Sequence, residues 1–374
     1  MPADPIVPKC VFEPPTESIP NEPIISLDSY IFTEPQVILT DTEPIGIGQW
    51  LLDNESLLIV QQNSAKLLNP QIQEQVTIIE SRQQFRTPIW LSENNTLVFA
   101  ELYDAMTQSS TAGLWLQSMN PPLLKQLSNS VASSSFAPSP NGTELVFVAL
   151  PGGTRPYIWN QRTKVLSALP IDLANWRYQK RPLRLLRSFR PLWSPSGNNI
   201  LFHDGAWLFL YDRSQQVGCE IDIQQSSLNQ FSNFVIQATW SPNGRYIAMK
   251  VSEEMPSNGP FDQLIVLDTY TGEISGHILP QNYLTFSISS DNQTLAMLAD
   301  SPKENNTYGI YLYNMRSHEF QHILPDVETR GSIAQAIVWS PQGNKIAFQC
   351  TGLVSSNSDN LLDALCLSQV STAQ

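Results

Sequence analysis

The chain has 374 residues, of which 41% are apolar and only 15% are Asp, Glu, Lys or Arg, and its formal net charge is −13. That balance provides ample material for a core, and a field of this sign argues against nucleic acid as a partner. No run approaches the roughly 18 consecutive apolar residues of a membrane-spanning helix, and no charged start followed by an apolar stretch marks a leader peptide.

Residues 1–35 hold eight of the 28 prolines and show no hydropathy period, which predicts an extended arm or tether. Within it, Cys10 is a candidate lipid anchor, although the preceding residues PADPIVPK do not form a lipobox. Val37-Ile38-Leu39 reads as a short strand. From Trp50 onward a single pattern recurs seven times. Its strong copies are WSPSGNNILF from Trp193, WSPNGRYIAM from Trp240 and WSPQGNKIAF from Trp339. Weaker copies are WLLDNESLLI from Trp50, WLSENNTLVF from Trp90, PSPNGTELVF from Pro138 and ISSDNQTLAM from Ile288.

In every copy three consecutive apolar residues begin seven positions after the anchor: Leu57–Ile59, Leu97–Phe99, Leu145–Phe147, Ile200–Phe202, Ile247–Met249, Leu295–Met297 and Ile346–Phe348. A short apolar run bounded by turn residues predicts a strand buried on both faces. Each copy is therefore a hairpin: the anchor ends one strand, SPxG or its equivalent turns the chain, and the apolar triplet begins the next. The anchors are 40 to 55 residues apart, the length of one four-stranded propeller blade. Third strands are expected at Leu114–Leu116, Tyr157–Trp159, Trp207–Tyr211, Leu264–Leu267 and Ile310–Tyr313. Fourth strands are expected at Val76–Ile79, Ile274–Leu279 and Phe320–Leu324. The last copy has a third strand at Leu365–Val370 but no fourth. Val37–Leu39 is expected to supply it, so residues 36–374 form an all-β, seven-bladed propeller of four-stranded antiparallel blades, closed by an N-terminal strand.

The WSPxGxxIAF pattern resembles the TolB-type propeller repeat, and is similar to the propeller domains of dipeptidyl-peptidase-like proteins. The resemblance spans about residues 36–374. The turn's usual Asp is Ser196, Asn243 or Gln342 here, and the WD dipeptide of WD repeats is absent. The periplasmic TolB-type member has six blades and an α/β domain, whereas this chain has seven copies, and no second domain is expected within residues 36–374.

Catalytic motifs are few. His318-Glu319-Phe320-Gln321-His322 matches H-E-x-x-H, which binds zinc when a helix brings both imidazoles to one face. On an expected strand the two would stand about 13 Å apart. His203 is expected just after a second strand and the other histidines, His277 among them, on outer strands, so no metal cluster is expected. There is no G-x-S-x-G elbow and no phosphate-binding glycine loop. No catalytic set, cofactor or metal site is therefore expected.

Cys350 and Cys366 fall on neighbouring strands of the last blade and are expected to form a disulfide, which favours an oxidising compartment. Cys10 and Cys219 have no evident geometry for pairing. The segment 175–193 carries Arg177, Lys180, Arg181, Arg184, Arg187 and Arg190, six of the chain's 21 basic residues. It leads into the innermost strand of the fourth blade, where a connection lies at the mouth of the central channel. Together with Trp176 and Tyr178 it is the candidate contact for an anionic ligand or acidic protein segment. The anchor tryptophans, recurring at one structural position, are expected to pack between blades. The resulting expectation is a non-catalytic binding scaffold outside the cytoplasm (periplasmic, secreted or lipid-anchored), recognising a protein or polysaccharide. The alternative is a carbohydrate-active propeller enzyme, a lyase or a hydrolase.

Overall fold

The computed structural model describes residues 8–12, 22–41, 45–61, 64–80, 85–91, 93, 95–102, 111–149, 155–173, 189–203, 208–223, 233–253, 263–278, 283–300, 307–328, 337–351 and 363–372. A 3-10 turn at Leu27–Ser29 precedes β1 (Tyr30–Phe32) and β2 (Gln36–Asp41). Blade 1 comprises β3 (Gly46–Trp50), β4 (Leu57–Gln61), β5 (Ser64–Asn69) and β6 (Glu74–Glu80). Blade 2 comprises β7 (Phe85–Leu91), β8 (Thr96–Leu102), β9 (Thr111–Met119) and the first part of β10 (Pro122–Pro138). The end of β10 opens blade 3, followed by β11 (Glu144–Ala149), β12 (Pro156–Asn160) and β13 (Leu166–Ala168). Blade 4 is β14 (Arg190–Trp193), β15 (Asn199–His203), β16 (Leu208–Asp212) and β17 (Val217–Ile221). Blade 5 is β18 (Asn233–Trp240), β19 (Tyr246–Glu253), β20 (Gln263–Asp268) and β21 (Ile274–Ile278). Blade 6 is β22 (Tyr283–Ile288), β23 (Thr294–Asp300), β24 (Thr307–Asn314) and β25 (Phe320–Glu328). Blade 7 is β26 (Ile337–Trp339), β27 (Lys345–Thr351), β28 (Asp363–Thr372) and the N-terminal strands.

The ring closes as the sequence predicts. β2 pairs antiparallel with β28, from Gln36 opposite Leu367 to Asp41 opposite Asp363. β1 lengthens the same edge, with Tyr30 opposite Thr372 and Phe32 opposite Val370. First strands of successive blades touch all the way round, so they form the innermost layer.

The repeat works through its turn. In four of the five copies with serine after the anchor, Ser139, Ser194, Ser241 and Ser340 accept the amide of the residue five positions on, through Oγ, at 2.8–3.1 Å, whereas after Ser289 the Thr294 amide goes to Asp291 Oδ1 at 2.9 Å. The glycine that follows takes positive φ, 68° at Gly142 and 77° at Gly244, a region costly for a side chain. Where glycine is lost, Asn54 and Asn292 occupy it at 59° and 68°. None of the seven apolar triplets exposes more than 2% of any residue. Alternate members face opposite neighbours: Ile200 and Phe202 join the core shared with blade 3, and Leu201 the one shared with blade 5. The apolar interior is thus seven cores, one in each interface between blades.

The anchor tryptophans occupy these interfaces. Trp50, Trp90, Trp193, Trp240 and Trp339 are all at most 9% exposed. Trp193 Nε1 donates to the Ala137 carbonyl of blade 3 at 3.1 Å, and Trp50 Nε1 to the Val338 carbonyl of blade 7 at 3.4 Å.

The arm departs from expectation. Cys10, read as without a partner, is disulfide-bonded to Cys219 in β17, 209 positions away. That bond occupies the sulfur which a lipid anchor would require. Lys9 forms an isolated parallel bridge to Glu220 at the outer edge of blade 4. Further on, residues 22–28 lie across blade 6. Asn314 Nδ2 donates to the Ile25 carbonyl at 2.8 Å and Gln293 Nε2 to the Pro23 carbonyl at 3.0 Å, while Leu27 enters the core between blades 6 and 7. The described parts of the arm are therefore laid on the propeller.

Candidate functional site

In an antiparallel meander, alternate connections emerge at opposite ends of the strands. First-to-second and third-to-fourth connections share one face of this propeller, and the other connections share the opposite face. On the first face no connection within blades 1–6 exceeds six residues, and the first-to-second turn of blade 7 has five. The opposite face carries the long ones: 9 residues between β19 and β20, 11 between β17 and β18, 11 between β27 and β28, and 21 between β13 and β14. Long connections on a rigid scaffold are where recognition sites are built.

The 21-residue connection contains the basic segment. Trp176, Arg177, Tyr178, Lys180, Arg181, Arg184 and Arg187 lie outside the described residues. Arg190, the first residue of β14, is described: it is exposed, and its Nη1 donates to the Ile236 carbonyl of blade 5 at 2.8 Å. Directly opposite it in the ladder is His203 at the end of β15. His203 is only 5% exposed. Burial, reinforced by the Arg190 charge, holds its pKa down at about 3, so the imidazole is neutral at physiological pH.

Arg190 is one of several polar side chains that join the inner strands. A polar residue in such a strand reaches the backbone of the next blade, where no further strand pairs. Gln49 Nε2 donates to the Trp90 carbonyl at 3.1 Å, and Gln49 Oε1 accepts from the Trp90 amide at 3.3 Å. Gln237 Nε2 donates to the Phe286 carbonyl at 2.9 Å, and its Oε1 accepts from Thr285 Oγ1 at 3.2 Å. Ser287 Oγ accepts from the Trp339 amide at 3.1 Å, and Gln349 of β27 donates to the Ile45 carbonyl. The repeat alignment did not single these residues out. Their signal was a polar residue within otherwise apolar, buried strands.

The H-E-x-x-H motif is not helical. His318 sits in the turn before β25 at φ 62°, with Nδ1 3.0 Å from Tyr313 Oη. His322 lies within β25, its ring 4.7 Å from that of Tyr311. No group of three or more His, Cys, Asp or Glu able to hold a metal occurs among the described residues, and among them no helix is long and apolar enough to cross a membrane. Cys350 and Cys366 are joined by a disulfide and buried.

No protein-family model and no curated protein matches the chain. Solved structures do. An oligogalacturonate lyase from Vibrio parahaemolyticus is 12% identical with a TM-score of 0.59, over 91% of this chain and 96% of that one. A chain of the mitotic checkpoint complex is 10% identical with a TM-score of 0.55, over 93% and 97%. TolB from Acinetobacter baumannii is 14% identical with a TM-score of 0.47, over 77% of this chain and 64% of that one; this chain thus spans just under two thirds of its length. At these identities the likeness is one of fold, shared by proteins of different function.

Proposed function

We propose that this protein is a non-catalytic binding propeller working outside the cytoplasm, and that its binding face is the one carrying the long connections. The observation behind this reading is the division of connection length between the two faces: short turns on one, connections of up to 21 residues on the other. The basic segment 175–193 supplies local positive charge in a chain of net charge −13, which suits an acidic protein segment or an anionic polysaccharide. The pairing of all four cysteines supports an oxidising location.

The test compares the wild type with an Arg181→Glu/Arg184→Glu/Arg187→Glu variant. Each is passed over immobilised polygalacturonate and a sulfated polysaccharide, and each is crosslinked in native cells with identification by mass spectrometry. Salt-dependent retention, or a partner captured by the wild type and lost by the variant, supports the proposal. Equal capture by both retires the basic segment as the contact. Release of shortened oligosaccharides, with or without manganese, refutes the non-catalytic reading in favour of a carbohydrate-active enzyme.

A further inference from the structure

The two disulfides sit in opposite environments. Cys350 and Cys366 are 1% and 0% exposed, within the core shared by blades 6 and 7. Cys10 and Cys219 are only half-buried, at the outer edge of blade 4. The other attachments of Pro8–Phe12 are local: Cys10 and Phe12 pack, partly buried, against the core shared by blades 4 and 5. The Cys10 amide donates to the Glu220 carbonyl and the Glu220 amide to the Pro8 carbonyl, each at 2.9 Å. Lys9 pairs with Asp222 with 49% of its side chain exposed, and an ion pair this exposed contributes little. Phe12 rests on Gly272, and Val11 is 82% exposed. One parallel bridge and two backbone hydrogen bonds make a marginal strand. The covalent bond is the one attachment that local fluctuation cannot open.

We propose that Cys10–Cys219 is a reducible latch. It holds Pro8–Phe12 on the outer edge of β17, and reduction releases that segment while the propeller stays closed through β1, β2 and the buried Cys350–Cys366 bond. The reductant is a dithiol. Its thiolate attacks Cys10 or Cys219, forming a mixed disulfide and expelling the other sulfur as thiolate, which takes up a proton. The second thiol of the reductant then displaces the remaining protein sulfur. Two electrons pass to the protein disulfide, two protein thiols form, and the reductant leaves as its own disulfide. The freed edge presents the Glu220 amide and carbonyl, an edge of the kind to which extended chains add.

The experiment treats the full chain, under native conditions, with graded dithiothreitol, traps thiols with iodoacetamide and locates the label by mass spectrometry. Cys10 and Cys219 are expected to label at least tenfold faster than Cys350 and Cys366. Hydrogen exchange in residues 217–223 should rise in step, with the cooperative unfolding transition retained. A Cys10→Ser/Cys219→Ser variant should show the same raised exchange without reductant. Labelling of all four cysteines together, labelling only after global unfolding, or unchanged exchange at 217–223 in the reduced protein or the variant would overturn the latch.

Discussion

His203 makes acid sensitivity a test of the blade interior. In the folded chain its pKa is held at about 3 by burial and by Arg190, whereas an unfolded histidine titrates near pH 6.5. Between those values the unfolded state binds a proton that the folded state refuses. Stability from this group is therefore complete above about pH 6.5 and is lost as pH falls toward 3. The linkage relation gives a loss of about 2 kcal/mol at pH 5 and about 3 kcal/mol at pH 4. His203→Gln removes the titration while keeping a polar side chain of similar reach. Urea unfolding of wild type and variant at pH 7, 5 and 4 isolates the effect, since every other group titrates in both. The wild type should lose about 2 kcal/mol more than the variant between pH 7 and 5. Parallel pH dependence of the two proteins would refute the argument, and would mean that His203 gains a proton within the fold.

Two further substitutions probe the packing. Gly218→Ala would set a Cβ 1.9 Å from Phe209 Cζ, so a thermal or urea melt should show a loss of about 1–3 kcal/mol, partly recovered by Phe209→Leu. Gln237→Leu removes the bonds from blade 5 to Thr285 and the Phe286 backbone; a loss of about 1–3 kcal/mol is expected, with faster amide exchange at Phe286 and no change in distant blades.

Most of the fold was legible because each blade repeats one local solution. An apolar triplet is buried on both faces in all seven copies, and in four of them Ser Oγ accepts an amide across the turn and the next glycine takes positive φ. Degraded copies kept the triplet even where Asn54 or Asn292 replaced glycine, so they remained in register. Ring closure was legible as an arithmetic deficit, a fourth strand lacking in blade 7 and a spare strand before blade 1. The course of the arm was not legible. Proline-rich and without a period, residues 1–35 carry no pattern that states which blade they cross, and the pairing of Cys10 with Cys219 depends on that crossing alone. Gln49 and Gln237 were passed over for a different reason: a polar residue in an apolar strand signals a bond but not its partner, and theirs lie in another blade. Of the basic residues of that segment only Arg190 is among the described ones, and its hydrogen bond to the Ile236 carbonyl gives it a place in the ring besides any ligand contact.

The pairing of β2 with β28 also sets an order of events during synthesis. Gln36 finds Leu367 only after all seven repeat copies between them have left the ribosome. Until then blade 7 is incomplete, and blades 1 and 6 each hold one flank open to solvent. Blades in the middle of the chain can assemble against each other as they emerge, but the circle waits for its last strand. The nascent propeller is therefore an open arc with sticky ends until β28 emerges, and the step that seals it joins strands from opposite ends of the repeat array.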